Sequence, residues 1–130
     1  MIVLDASALI ELLLGTPRGE QVAAAIAAPD ELLAAPHLLD LEVAQVLRRL
    51  VARGELSARR AELALGDLVA LGVTRYGHEE LVPRIWELRS SLTAYDGAYV
   101  ALAEATGATL VTCDAKLSAA GHRATVLVVT

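Results

Sequence analysis

Short apolar runs punctuate this chain at Ile2 to Leu4, Leu32 to Ala35, Thr109 to Thr112 and Thr125 to Val129, with a weaker one at Val73 to Tyr76. They do not alternate apolar with polar residues, as a strand with one wet face would. Stretches carrying helix signals separate them. Strands apolar on both sides and interleaved with helices specify a parallel sheet covered on both faces. In open sheets of this kind, ligands bind beyond the carboxyl ends of the strands. The residues that follow the runs are therefore the first place to look for chemistry.

Capping and breaking residues set the expected helix boundaries. One helix should run from Ser7 to Leu14 and stop at Gly15. Pro17 suits the first turn of a second, reaching about Ala28, with a turn at Pro29-Asp30. Pro36 should open a long helix to Arg53, stopped by Gly54, and Ser57 should cap the next, which ends near Gly72. Further helices are expected from His78 to about Ser91, from Thr93 to Gly107, and from Ala115 to Ala120. No repeat, linker or low-complexity tract interrupts the pattern, and 130 residues suit a single domain, 1–130.

Several function classes are disfavoured. The GxxxxGK[ST] loop, the GxGxxG fingerprint and the GxSxG elbow are all missing, against triphosphate and serine-hydrolase chemistry. The three histidines, His37, His78 and His122, are scattered and lack zinc-ligand spacing. A single cysteine, Cys113, forbids an internal disulfide and fits a reducing compartment; it reads as a small buried residue. No signal peptide and no apolar stretch of about 20 residues is evident, so a cytoplasmic protein outside the membrane is expected. The net charge of −5 counts against nonspecific nucleic-acid binding. That objection weakens if some of the acids hold divalent cations. Ten of the eleven basic residues are arginine, which suits bidentate phosphate contacts.

Four acids stand out by position. Asp5 and Asp114 each follow an apolar strand directly. Glu42 shares a helical face with Leu38, Leu39 and Val46, and Asp96 with Tyr99, Val100 and Ala103. Every one of them has a structural alternative. Asp5 and Asp114 are good helix N-caps, Thr93 and Asp96 match a capping box, and Glu42 could pair with Arg49 two turns on. Asp40 points elsewhere and reads as solvent-facing or as a secondary contributor. Taken together, two acids at one sheet edge and two on inward helix faces form a costly group unless cations neutralise them. Oxygen-only ligands favour Mg²⁺ or Mn²⁺. A metal pair roughly 3.5–4 Å apart could activate water and stabilise the leaving oxygen of a phosphodiester.

These residues resemble the PIN-domain nucleases, specifically the VapC toxins of bacterial toxin–antitoxin pairs. The opening Ile2-Val-Leu-Asp-Ala-Ser-Ala-Leu9 is similar to that family's first acidic motif, and Pro36-His-Leu-Leu-Asp-Leu-Glu-Val43 to the second. Leu92-Thr-Ala-Tyr-Asp-Gly-Ala-Tyr-Val-Ala-Leu-Ala-Glu104 resembles the third and Leu110-Val-Thr-Cys-Asp-Ala-Lys-Leu117 the fourth. The resemblance spans nearly the whole chain. It implies a three-layer α/β/α sandwich with a mainly parallel central sheet. It also implies a Mg²⁺- or Mn²⁺-dependent endoribonuclease whose acidic residues are Asp5, Glu42, Asp96 and Asp114, with Ser7 and Thr112 in support. A homodimer and a VapB-like antitoxin that inhibits it, typically through an arginine-bearing tail in the acidic site, are implied as well. The chain departs in small ways: Gly97 stands where alanine is more usual and Ser91 where asparagine is.

Arg48-Arg49, Arg59-Arg60, Arg75, Arg84 and Arg89 could meet phosphate or simply solvate helix faces. Arg89, one short loop before the Asp96 helix, is the preferred RNA contact. Three other readings use the same acids: a non-catalytic PIN-like binding module, a metal-dependent DNA nuclease or phosphatase, and a phospho-accepting receiver domain. The last should have adjacent acids after its first strand and a late lysine; here Ala6 and Ser7 follow Asp5, and the final strand has no lysine.

Overall fold

The computed structural model describes all 130 residues. Five parallel strands, β1 (Ile2–Leu4), β2 (Leu33–Pro36), β3 (Thr74–Tyr76), β4 (Thr109–Thr112) and β5 (Thr125–Val128), form one sheet in the order β3-β2-β1-β4-β5. Six α-helices connect them: α1 (Ala6–Leu14), α2 (Pro17–Ala25), α3 (Leu38–Ala52), α4 (Ala58–Ala70), α5 (Val82–Glu87) and α6 (Ala94–Thr106). The first three strands step in one direction along the sheet; the chain then returns past β1 to lay down β4 and β5. Right-handed crossovers place helices on opposite faces for opposite step directions. Accordingly α1 packs with α2, α3 and α4, while α5 packs with α6. The three-layer α/β/α sandwich expected from the sequence is the fold observed.

The interior strands match the apolar reading. Val3, Leu4, Leu110 and Val111 have no exposed surface, so each contributes about 1.5–3 kcal/mol of side-chain burial. The edge strands differ. Leu127 of β5 is 44% exposed, because an edge of the sheet is covered less completely than its middle.

Several boundaries differ from expectation. Pro36 ends β2 and does not open a helix: it pairs with Tyr76, and the His37 N–H donates to the Tyr76 carbonyl at 3.0 Å. The β1 side of that ladder has no pair beyond Ala34, so the missing proline N–H breaks nothing there. The expected helix from His78 to Ser91 is broken into a 3-10 turn (Glu79–Leu81) and the short α5, with Pro83 in its first turn. Proline can start a helix but cannot continue one from upstream. The Ala115–Ala120 segment shrinks to a 3-10 turn, Ala115–Ser118, and α2 stops at Ala25. Cys113 is half-buried, less enclosed than expected.

Helices α1 and α2 form a tight corner. Gly15 takes a left-handed φ of 67° to end α1, and Thr16 caps α2 by accepting the Gly19 N–H at 3.0 Å. The Thr16 hydroxyl also donates to the Glu11 carboxylate, and Arg18 pairs with Glu11 at 2.7 Å. The backbones approach so closely at Gly19 that a Cβ there would overlap the Glu11 carbonyl. Gly66, inside α4, has open space around it. Gly19→Ala is therefore expected to lose about 1–3 kcal/mol of stability, as overpacked sites do. Gly66→Ala should gain about 0.5–1 kcal/mol through helix propensity. Urea unfolding midpoints of the two variants check the opposite signs.

Candidate active site at the carboxyl edge of the sheet

The step direction reverses between β1 and β4, and Asp5 and Asp114 flank that reversal. Asp5 leaves β1 with extended backbone and caps α1, its Oδ1 accepting the Ala8 N–H at 3.0 Å and the Ser7 hydroxyl at 2.8 Å. Its Oδ2 accepts the Thr112 hydroxyl at 2.6 Å. The residue is 5% exposed. Burial pushes its carboxyl up, the three donors pull it back, and Asp114 pushes it further up. The capping and the functional readings of Asp5 are thus compatible; the same carboxylate does both.

Ser7 and Thr112 extend this arrangement. Thr112, fully buried at the end of β4, accepts the Asp114 N–H at 2.9 Å while donating to Asp5. Ser7 Oγ accepts the Cys113 N–H at 3.0 Å and lies 3.2 Å from the Thr112 hydroxyl. Two hydroxyls therefore bind the ends of β1 and β4 to one carboxylate. Asp114 caps the 3-10 turn that follows, accepting the Lys116 N–H at 3.0 Å, and the Lys116 ammonium stands 3.6 Å from its carboxylate.

Glu42 comes from the second turn of α3 and is half-buried. The Arg49 pairing does not form. The partner is the Tyr99 hydroxyl, which donates to Oε1 at 2.7 Å. Burial pushes Glu42 up, Tyr99 lowers it, and Asp96 and Asp5 raise it again. Tyr99 itself is held far above its ordinary value, by burial first and then by Glu42, so it is a permanent donor. Asp96 sits in the first turn of α6, where Thr93 accepts its N–H at 3.1 Å. Its carboxyl is raised by burial and by Asp114, against opposing pulls from Lys116 and Thr93.

The fold thus brings all four acids to one edge, where Asp114 raises Asp5 and Asp96, and Asp96 and Asp5 raise Glu42. They do not close into a cage: no three acids meet at a common metal-ligating distance. The four carboxylates are neighbours at the sheet edge, and like-charge repulsion opposes bringing them closer unless a cation neutralises them. The donor set remains all oxygen and mutually repelling, the chemistry that suits a hard divalent cation.

Two further residues named from the sequence lie outside this group of acids. Asp40 is engaged by Arg75, which donates to it at 3.0 and 2.7 Å and ties α3 to β3. Arg89 is exposed, but its guanidinium stacks 4.6 Å over the Trp86 ring and donates to the Trp86 carbonyl at 2.9 Å. The sequence reading missed Tyr99 as a partner of Glu42. The available signal was that a buried tyrosine hydroxyl needs an acceptor, and Tyr99 lies three residues beyond Asp96 on the same face.

Raised carboxyls have a consequence for stability. Asp5, Glu42 and Asp96 hold protons more tightly folded than unfolded, so they penalise the fold above their raised values. That penalty is relieved as pH falls toward their ordinary range. Asp40 and Glu104, which Arg75 and Arg84 hold below the usual range, act the other way: their contribution is lost only at lower pH. In EDTA the unfolding midpoint is expected to rise as pH drops from neutral toward the ordinary carboxylate range and to fall again below that range. Asp5→Asn should flatten the upper limb; a midpoint that falls steadily from neutral pH would contradict the site electrostatics.

Comparison with known proteins supplies independent findings. A family model described as PIN domain matches residues 2–123. A VapC ribonuclease of Mycobacterium bovis is 48% identical over 122 residues, covering 94% of this chain and 92% of that protein. Ribonuclease VapC12 of Mycobacterium tuberculosis is 42% identical over 125 residues, 95% of each chain. Among solved structures, Mycobacterium tuberculosis VapC20, described as a Sarcin-Ricin loop cleaving toxin, superposes with a TM-score of 0.71. It covers 95% of this chain and 97% of that one; at 18% identity, this likeness speaks for the fold alone.

Proposed function

Because the chain belongs to the PIN-domain family, we propose that it is the endoribonuclease toxin of a toxin–antitoxin pair, using Mg²⁺ or Mn²⁺ to hydrolyse RNA phosphodiester bonds. The observation that carries this reading is the ring of Asp5, Glu42, Asp96 and Asp114 at one sheet edge, in a chain 48% identical to a VapC ribonuclease.

These four residues would hold the cation, which when bound supplies charge neutralisation, a polarised phosphoryl oxygen and an activated water. The chain's own groups have distinct tasks. Asp5 is fixed by Ser7, Ala8 and Thr112 and acts as the rigid member. Glu42 keeps one oxygen, Oε2, without a protein partner and so available for ligation. Lys116, beside Asp114, offers a positive group to a substrate phosphate in an otherwise acidic cleft. Arg89 is the proposed RNA contact: its Nη2 and Nε donors are unpaired, and a guanidinium stacked on tryptophan presents a flat cationic surface.

A VapB-like antitoxin and a second copy of the chain are the proposed protein partners. An apolar groove of about 300 Å³ between α5 and the start of α6 supports a protein contact close to the acids. Trp86 and Tyr95 line it, each 66% exposed, and Tyr95 adjoins Asp96 in sequence. No helix is long and apolar enough to cross a membrane.

The deciding experiment incubates antitoxin-free protein with total RNA in Mg²⁺, in Mn²⁺ and in EDTA. Cleavage is expected only with metal. Asp5→Asn and Asp96→Asn should each lower it by more than the roughly 10–100-fold that loss of an outer-shell partner costs. Arg89→Ala should weaken RNA affinity while leaving the fold intact, and unchanged affinity removes it as a contact. RNA binding without cleavage would turn the reading toward a non-catalytic module. Cleavage of DNA or a phosphomonoester alone would turn it toward another phosphoesterase.

A further inference from the structure

Each acid of the ring enters on a different element, and the hydrogen bonds that orient them differ in kind. Asp5 has both oxygens occupied, by Ser7, Ala8 and Thr112. Asp114 is turned by the Lys116 N–H of its own 3-10 turn. Glu42 lies in the middle of a helical surface, on a side chain with three rotatable bonds, and receives one protein donor only, the Tyr99 hydroxyl. Tyr99 is 1% exposed and is the largest side chain fully enclosed in the core, so its ring cannot swing. The hydroxyl joins α6 to α3 across a sequence separation of 57 residues.

We infer that Tyr99 is a positioning residue of the acidic site: its hydroxyl fixes Glu42 through Oε1, so that Oε2 is presented to a divalent cation in a set orientation. This rests on the reading of the four acids as a cation site. An unsupported glutamate would divide its population among rotamers, and each binding event would carry the cost of selecting one of them. A hydroxyl carried by a packed ring removes most of that cost beforehand. Tyr99 plays for Glu42 the part that Thr112 plays for Asp5, with the support coming from the opposite layer of the sandwich.

The test is Tyr99→Phe, which removes one oxygen and keeps the ring that fills the core. Two readouts separate positioning from packing. First, in metal-free protein, the crystal structure or the side-chain NMR signals of Glu42 should show one conformer in the parent and several in the variant. A Glu42 that keeps a single unchanged conformer in Tyr99→Phe overturns the inference whatever the metal does. Second, titration with Mn²⁺ alone, followed by the loss of the free-ion EPR signal, should give an affinity about 10–100-fold weaker in the variant. Equal Mn²⁺ affinity in parent and variant also overturns it. If the parent takes up no Mn²⁺, the cation reading of the site fails, and the metal-free readout still decides whether Tyr99 orders Glu42. Should Tyr99→Phe unfold, Glu42→Gln supplies the second variant. It keeps an acceptor for the Tyr99 hydroxyl, so a single ordered conformer is expected there, and a disordered side chain at position 42 would count against the inference.

Discussion

Asp5 carries a carboxylate to a point where solvent barely reaches it, and three donors from two elements, α1 and β4, meet it there. One donor is the backbone of α1, one the Ser7 hydroxyl at the start of that helix, and one the Thr112 hydroxyl at the end of β4. A buried charge without such partners would be too costly to keep. The arrangement therefore dictates more than the state of one side chain. It requires β1 and β4 to lie side by side in a single register, Ile2 against Thr109 and Leu4 against Val111, so that Thr112 arrives beside Asp5. The direction of α1 and the place of Asp114 follow from the same constraint, because Ser7 and Thr112 also satisfy the N–H groups of Cys113 and Asp114.

Around this buried member the other acids are more open to solvent. Glu42 and Asp96 are half-buried and come from helices in opposite layers, so their separation depends on how α3 and α6 seat on the sheet. Burial and mutual repulsion raise both carboxyls. The core contacts of α3 and α6 are made by other residues, among them Leu39, Val43, Val100 and Leu102.

Much of this was legible in the sequence, for identifiable reasons. The strands could be read because a parallel sheet buries both faces of its inner strands, which leaves runs such as Ile2-Val3-Leu4. The acids could be read because a carboxylate that directly follows such a run, or interrupts an apolar helical stripe, needs an explanation. What could not be read depended on distant partners. That Pro36 completes a strand is decided by Tyr76, forty residues later, and that Asp40 is paired is decided by Arg75 on the neighbouring strand. Tyr99 looks like core because it is core; its role toward Glu42 lies in one atom whose partner is on another helix. The break between the Glu79 turn and α5 has a local signal in Pro83, which the helical pattern around Trp86 masks.

The strand order has a consequence in time as well as in space. The central strand β1, at residues 2–4, precedes its neighbour β4, at residues 109–112, by all six α-helices. Long-range pairing of this kind is slow, and it cannot begin before the distant segment exists. During synthesis, Asp5 therefore waits without Thr112 until all six helices have been made. The acidic edge is completed only once residues 112–114 have been made, so a chain terminated before them lacks the assembled ring.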